Sequence, residues 1–143
     1  MPDTTRKLLM VELTWNQGLR SEAKMRDHIV TIDSSRDEGG DDLGPAPTEL
    51  FLAALGSCIM INISRIAKKM RIDLKNVKME ISGVKEHNEH PSSFTELHVN
   101  IALDTSTSDH AKLEKLVRLA EEDCTVSNTL RNAVAPTIHM VRG

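Results

Sequence analysis

The sequence predicts an α+β fold, with two helices and antiparallel sheets in a single domain spanning residues 1–143. Three observations predict it. Residues 50–61 form an apolar run interrupted only by Gly56 and Ser57. Two segments, Val77-Met79-Ile81 and Leu97-Val99-Ile101-Leu103, place apolar residues at every second position. Leu113, Leu116, Val117 and Ala120 recur at i, i+3, i+4 and i+7, the stripe of an amphipathic helix.

The elements follow in order. Residues 7–15 read as the first strand and 28–33 as the second or third, and the polar stretch between them holds a turn. Residues 34–47, SSRDEGGDDLGPAP, crowd Gly, Pro, Asp and Ser into one long irregular connection, read as a solvated, mobile loop. Pro47 suits the first position of a helix running to about residue 70, and Glu49 in its first turn suits the helix dipole. The helix is apolar nearly all round as far as Ile61, so it should be enclosed by protein; Asn62, Ser64, Arg65, Lys68 and Lys69 then lead it to solvent. The two alternating segments form a hairpin closed by HNEHPSS. Ser108 should cap a second helix over about 108–124, whose stripe extends by four from Ala120 to Cys124. A turn at 127–132 and a last strand at 134–141 complete the chain, Pro136 placing that strand at an edge or bulge. Two core helices are more than one chain of this size covers comfortably, which points to a homodimer.

Composition narrows the function. Charged residues make up 27% and the net charge is −3, without the basic footprint of a nucleic-acid binder. Two Phe, one Trp and no Tyr leave too few rings for a base-stacking platform, and leave an aliphatic, Met-containing core. The N-terminus shows no apolar segment with a cleavage site. The run at 50–61 would span roughly 18 Å as a helix, short of a ~30 Å bilayer core. A cytoplasmic protein without membrane contact is expected, and there two cysteines stay reduced unless they do redox work.

Other clusters read as surface. The acidic run Asp37, Glu38, Asp41, Asp42 lacks calcium-loop spacing, and Gly39-Gly40 lacks the partners of a phosphate loop. His87, His90 and His98 make no ligand set, so no metal and no cofactor are expected. Ser57 has no positioned His to activate it.

Cys58 lies within the apolar helix and Cys124 ends the second stripe, facing inward. They read either as small buried hydrophobes or as a redox pair in which one thiol is oxidised to a sulfenic acid and the other condenses with it. The second reading needs a cation or helix N-terminus near the attacking thiol.

The segment GPAPTELFLAALGSC, ending at Cys58, resembles the first signature of the OsmC/Ohr family of osmotically inducible and organic hydroperoxide resistance proteins. DCTVSNTLRNAV, around Cys124, resembles the second, and WNQGLRSEAKMRDHIVTID has the character of the family's N-terminal sheet. The P-x-E-L and D-C-T-V-S versions are closer to a poorly characterised OsmC-like branch. The resemblance implies an intertwined homodimer built on two long central helices, with active sites at the subunit interface. It implies a peroxidase in which Cys58 is peroxidatic and Cys124 resolving, with hydroperoxides as substrates, a dithiol such as a lipoylated protein as reductant, and a role in oxidative-stress defence.

The family's catalytic Glu would fall at Thr48, with the carboxylate one place on, at Glu49. Nine residues before Cys58 is about half a turn out of phase on an ideal helix, so Glu49 reads equally as a dipole partner. A thiolate-stabilising Arg is implied at Arg20 or Arg36, with Arg26 also open. Arg65, seven residues after Cys58, reads as the solvent end of the helix. Thr48 and Phe51 would border the substrate pocket. Thr48 in place of Glu also fits another class, a small-molecule or acyl-thiol binding module or a redox sensor without turnover. With so few rings, the pocket should favour a broad range of apolar substrates.

Overall fold

The structure, a computed structural model, describes residues 5–141. Its elements are β1 (Glu12–Gln17), β2 (Arg20–Met25), β3 (His28–Ile32), a 3-10 turn (Arg36–Glu38), α1 (Pro47–Lys69), β4 (Leu74–Lys85), β5 (Phe94–Thr105), α2 (His110–Glu122) and α3 (Thr125–Arg131). The α+β class stands, with two antiparallel sheets. Contacts divide the chain between Phe51 and Leu52 into two compact units.

The first unit holds the antiparallel sheet β1-β2-β3. The expected turn lies at Gly18 and Leu19, and β2, the central strand, follows it within the same polar stretch. Only Ala23 of RSEAKM is fully buried, so the strand carries almost no apolar alternation. Its tight connection to β3 hides as well, because Arg26 takes a left-handed φ of 56° where Asn or Gly would signal a turn.

The connection after β3 is ordered by one carboxylate, not left loose. Asp33 is buried and accepts the N–H groups of Ser34 at 2.8 Å, Asp41 at 3.2 Å and Leu43 at 3.1 Å. The Ser34 N–H does most to hold this carboxyl below its ordinary value; burial opposes it, and the Leu43 and Asp41 N–H groups and the Arg20 charge add to the lowering. Gly40 fits over this knot because a Cβ there would collide with the Ser34 carbonyl.

The second unit is a helix-on-sheet layer. β4 and β5 pair Val77 with Leu103, Met79 with Ile101 and Ile81 with Val99, so one face is aliphatic throughout. On that face lies the α1 stripe Leu55, Ile59, Ile63 and Ala67, joined by Leu116 and Ala120 of α2. Burying each large side chain is worth about 1.5–3 kcal/mol. Gly56 sets the approach: a Cβ there would stand 2.5 Å from Ile81 Cδ1 and 2.8 Å from its Cγ1. Arg71, at φ 57°, ends α1, and Ile72 N–H closes back on the Ala67 carbonyl at 2.8 Å.

Several expectations need correction. Within one chain α1 keeps an open face: Ala53, Ala54, Met60 and Ile61 are exposed, Ile61 by 51%. By length and composition Pro47–Lys69 could cross a membrane, yet its opposite face is packed into the aliphatic core. Asp109, not Ser108, caps α2, accepting the Lys112 N–H at 3.2 Å. The expected turn at 127–132 is mostly the helix α3. The expected strand at 134–141 does not form; alternation supplies a face, but a strand also needs a neighbour to bond with, and Val134, Ile138, Met140 and Val141 stay exposed.

Two outcomes follow. Because the folded Asp33 value is lowered, its stabilisation is present above the ordinary carboxyl value of about 3.9 and is lost as pH falls through the lowered one. Asp33→Asn should therefore be less stable than wild type at neutral pH and should lose that difference in acid, measured by urea denaturation against pH. Gly56→Val should cost about 1–3 kcal/mol by overpacking, and the added substitution Ile81→Ala should recover part of it.

Candidate thiol site

Cys58 sits on α1 between the buried residues Leu55 and Ile59 and remains partly exposed. Cys124 is fully buried. Its place differs from the one expected: α2 stops at Glu122, and Cys124 occupies the elbow before α3 in an extended conformation (φ −80°, ψ 112°). The stripe nonetheless points the right way, since Leu116, Ala120 and Cys124 share the core. Cys124 Sγ accepts the Ser127 N–H at 3.3 Å, so a sulfur caps α3 where Ser, Thr or Asp is usual.

Both thiols are free, and Cys58 is near enough to act on the Cys124 thiol. Burial is the main force pushing the Cys124 thiol above its ordinary value. The neighbouring Cys58 adds to the rise, while the Ser127 and Val126 N–H groups work against it. Cys124 is thus held as a protonated thiol beside a more accessible partner.

Asn62 brings the pair into register, and the sequence reading missed it. Expected to lead α1 to solvent, it is buried and donates Nδ2–H to the Ala120 carbonyl at 3.1 Å. That carbonyl lies in the last turn of α2, where the Cys124 N–H bonds to Glu121 instead, so a terminal acceptor is satisfied across the helix pair. Asn62 is four residues after Cys58, and Ala120 four before Cys124. The signal was present: an Asn at i+4 from the cysteine lies on the same face as Ile59 and Ile63.

An aliphatic groove of about 370 Å³ lies between Leu55 and Ile59 of α1, Val99 and Ile101 of β5, and Leu130 of α3. Glu121, Ser127 and Arg131 supply its polar end, and none of the described residues lining it is aromatic.

The remaining expected residues belong to the first unit. Glu49 Oε1 accepts the Ala46 N–H at 2.9 Å, one half of a capping box, so this carboxylate serves the start of α1. Thr48 is exposed and Phe51 partly buried. Arg20 reaches Asp41 at 3.9 Å and contributes to the field at Asp33. Arg36 opens the exposed 3-10 turn, and Arg26 occupies the β2–β3 turn. Among the described residues, no three His, Cys, Asp or Glu side chains group as metal ligands.

Comparison with known proteins adds the following. The profile of the family described as OsmC-like protein matches residues 39–139. Protein YhfA of Escherichia coli is 28% identical over 128 residues, covering 88% of this chain and 92% of that one. An OsmC-like protein of unknown function from Vibrio cholerae superposes with a TM-score of 0.76 at 20% identity, over 87% of this chain and 94% of that one. A Legionella pneumophila protein described as an organic hydroperoxide resistance protein OsmC and predicted redox protein gives 0.65 at 23% identity, over 88% and 92%.

Asn62→Leu should cost about 1–3 kcal/mol by stranding the buried Ala120 carbonyl, read from thermal unfolding. Iodoacetamide at about pH 8 should label native protein once, on Cys58, and reach Cys124 only on unfolding, as peptide mass spectrometry would show.

Proposed function

The chain belongs to the OsmC-like protein family, and from that premise we propose that it is a thiol-dependent peroxidase reducing organic hydroperoxides, and hydrogen peroxide, through Cys58 and Cys124. The observation that carries this reading is a partly exposed Cys58 close to a buried Cys124. The Legionella relative's description as a hydroperoxide resistance protein supports the same chemistry.

The steps balance as follows. The Cys58 thiolate attacks the outer peroxide oxygen; an S–O bond forms, the O–O bond breaks, and the alcohol leaves after taking a proton. Cys124 then attacks the sulfenic sulfur; an S–S bond forms, the S–O bond breaks, and water leaves. A dithiol, in our reading a lipoylated protein, reopens the disulfide by exchange and is itself oxidised. The aliphatic groove, lined by Leu55 and Ile59 on the helix that carries Cys58, suits an alkyl chain better than a polar or aromatic one.

We assign thiolate stabilisation to Arg20 or Arg36, and place Thr48 and Phe51 at the substrate pocket. We propose that the two units act as one OsmC-like domain, since the family match runs across the division between them. We further propose an intertwined homodimer; the exposed apolar face of α1 and the unpaired tail at 134–141 are what a second copy would cover. The reaction is placed in the cytoplasm, as part of defence against oxidative stress.

One observation favours a second reading. Thr48 stands where the peroxidase members carry Glu, and Glu49 is engaged in capping α1. A fold that retains the cysteine pair as a redox sensor, or as a small-molecule or acyl-thiol binding module, would tolerate both. Turnover separates the two. Wild type should consume an alkyl hydroperoxide continuously with a dithiol present, and Cys58→Ser should fall to the uncatalysed rate. Equal rates for the two proteins would remove the peroxidase reading. Sedimentation should give twice the chain mass; a monomer would remove the dimer.

A further inference from the structure

We propose that Glu121, acting with Ser127 and Arg131, is a positioning residue that clamps α3 to the end of α2 and so holds Cys124 Sγ on Cys58. The inference rests on reading Cys124 as the thiol that attacks Cys58. Glu121 Oε1 accepts the Ser127 Oγ–H at 2.9 Å and pairs with the Arg131 guanidinium. Ser127 in turn donates its N–H to Cys124 Sγ. A continuous chain of contacts therefore runs from Arg131 through Glu121 and Ser127 to the buried sulfur.

The clamp adds to one other side-chain tie across the elbow, Asn128 Nδ2–H donating to the Glu122 carbonyl at 2.9 Å, which does not reach the sulfur. α3 has seven residues, well below the ~12–15 at which isolated helices hold in water. The elbow at Asp123 and Cys124 interrupts the backbone ladder, so α2 does not template α3. Of α3 only Ser127 is fully buried, and the partly buried Val126 is its one side chain packed on the core. The Glu121 carboxylate supplies two ties across the elbow, one at the first turn of α3 and one at its last residue. Released from them, α3 frays, the Ser127 N–H leaves the sulfur, and Cys124 is free to rotate away from Cys58. Attack on a sulfur needs near-linear approach at close range, so a small displacement slows this step and leaves the chemistry of Cys58 itself intact.

The test uses dithiobis(nitrobenzoic acid) on the full-length protein, which avoids any need for peroxide turnover. Cys58 attacks the reagent; its sulfur bonds to one nitrothiobenzoate and the other leaves. Cys124 then attacks the Cys58 sulfur; the protein disulfide forms, the second nitrothiobenzoate leaves, and the Cys124 proton passes to solvent. The first phase reads Cys58 and the second reads Cys124. Glu121→Gln and Ser127→Ala should each lower the ratio of second-phase to first-phase rate about tenfold or more. Ser127→Thr, which keeps the hydroxyl, should restore it, and the double variant should be no slower than the slower single one.

An unchanged second phase in both variants overturns the proposal. So does equal slowing of both phases with lowered thermal stability, which marks a general structural role, and so does a wild type that lacks a second phase. Should the clamp behave as expected while wild type consumes no hydroperoxide, the peroxidase reading falls alone.

Discussion

The packing of the α1 stripe Leu55, Ile59, Ile63 and Ala67 onto the β4–β5 sheet and α2 is the constraint from which the thiol geometry follows. Cys58 rides on that stripe, one residue before Ile59, so its position is fixed by the burial of its neighbours. Close approach at Gly56 brings the helix down onto Ile81, and Asn62 then sets its register along α2 through the Ala120 carbonyl. The first two effects are apolar and tolerant of small slips. The hydrogen bond is directional, and it distinguishes one alignment of the helices from another a turn away.

Within that frame the two cysteines are made unequal. Exposure gives Cys58 access to a reagent, while burial keeps Cys124 protonated and shielded. Such a division suits sequential chemistry, in which one thiol meets the oxidant and the other waits for the oxidised sulfur. The elbow before α3 contributes a further element, because a residue at a helix break can reorient more readily than one held in a helix interior. Its cap on Ser127 and the Glu121 ties restrain that freedom in the reduced protein.

Much of this was legible in the sequence. Period-2 alternation gave β4 and β5, the apolar run with Pro47 gave α1, and the stripe extended from Ala120 put Cys124 in the core. Each of these rests on burial, which leaves a periodic trace. Features resting on single polar contacts were harder to read. β2 is polar along most of its length and is held by ladders on both sides. Asp33 read as the last residue of a strand, yet it organises the loop that follows through backbone donors that no side-chain pattern records. Asn62 looked like the beginning of a solvent face. Glu49 was legible as a partner of the helix start, and Ala46 N–H is the donor it meets.

The most direct measurement of the central claim is the state of the two sulfurs after one equivalent of an alkyl hydroperoxide. Rapid acid quenching, digestion and mass spectrometry would map it. The account predicts a Cys58–Cys124 disulfide within a single chain in wild type, and a trappable sulfenic acid at Cys58 in Cys124→Ser. Two free thiols with the hydroperoxide unconsumed, or oxidation that begins at Cys124, would contradict it.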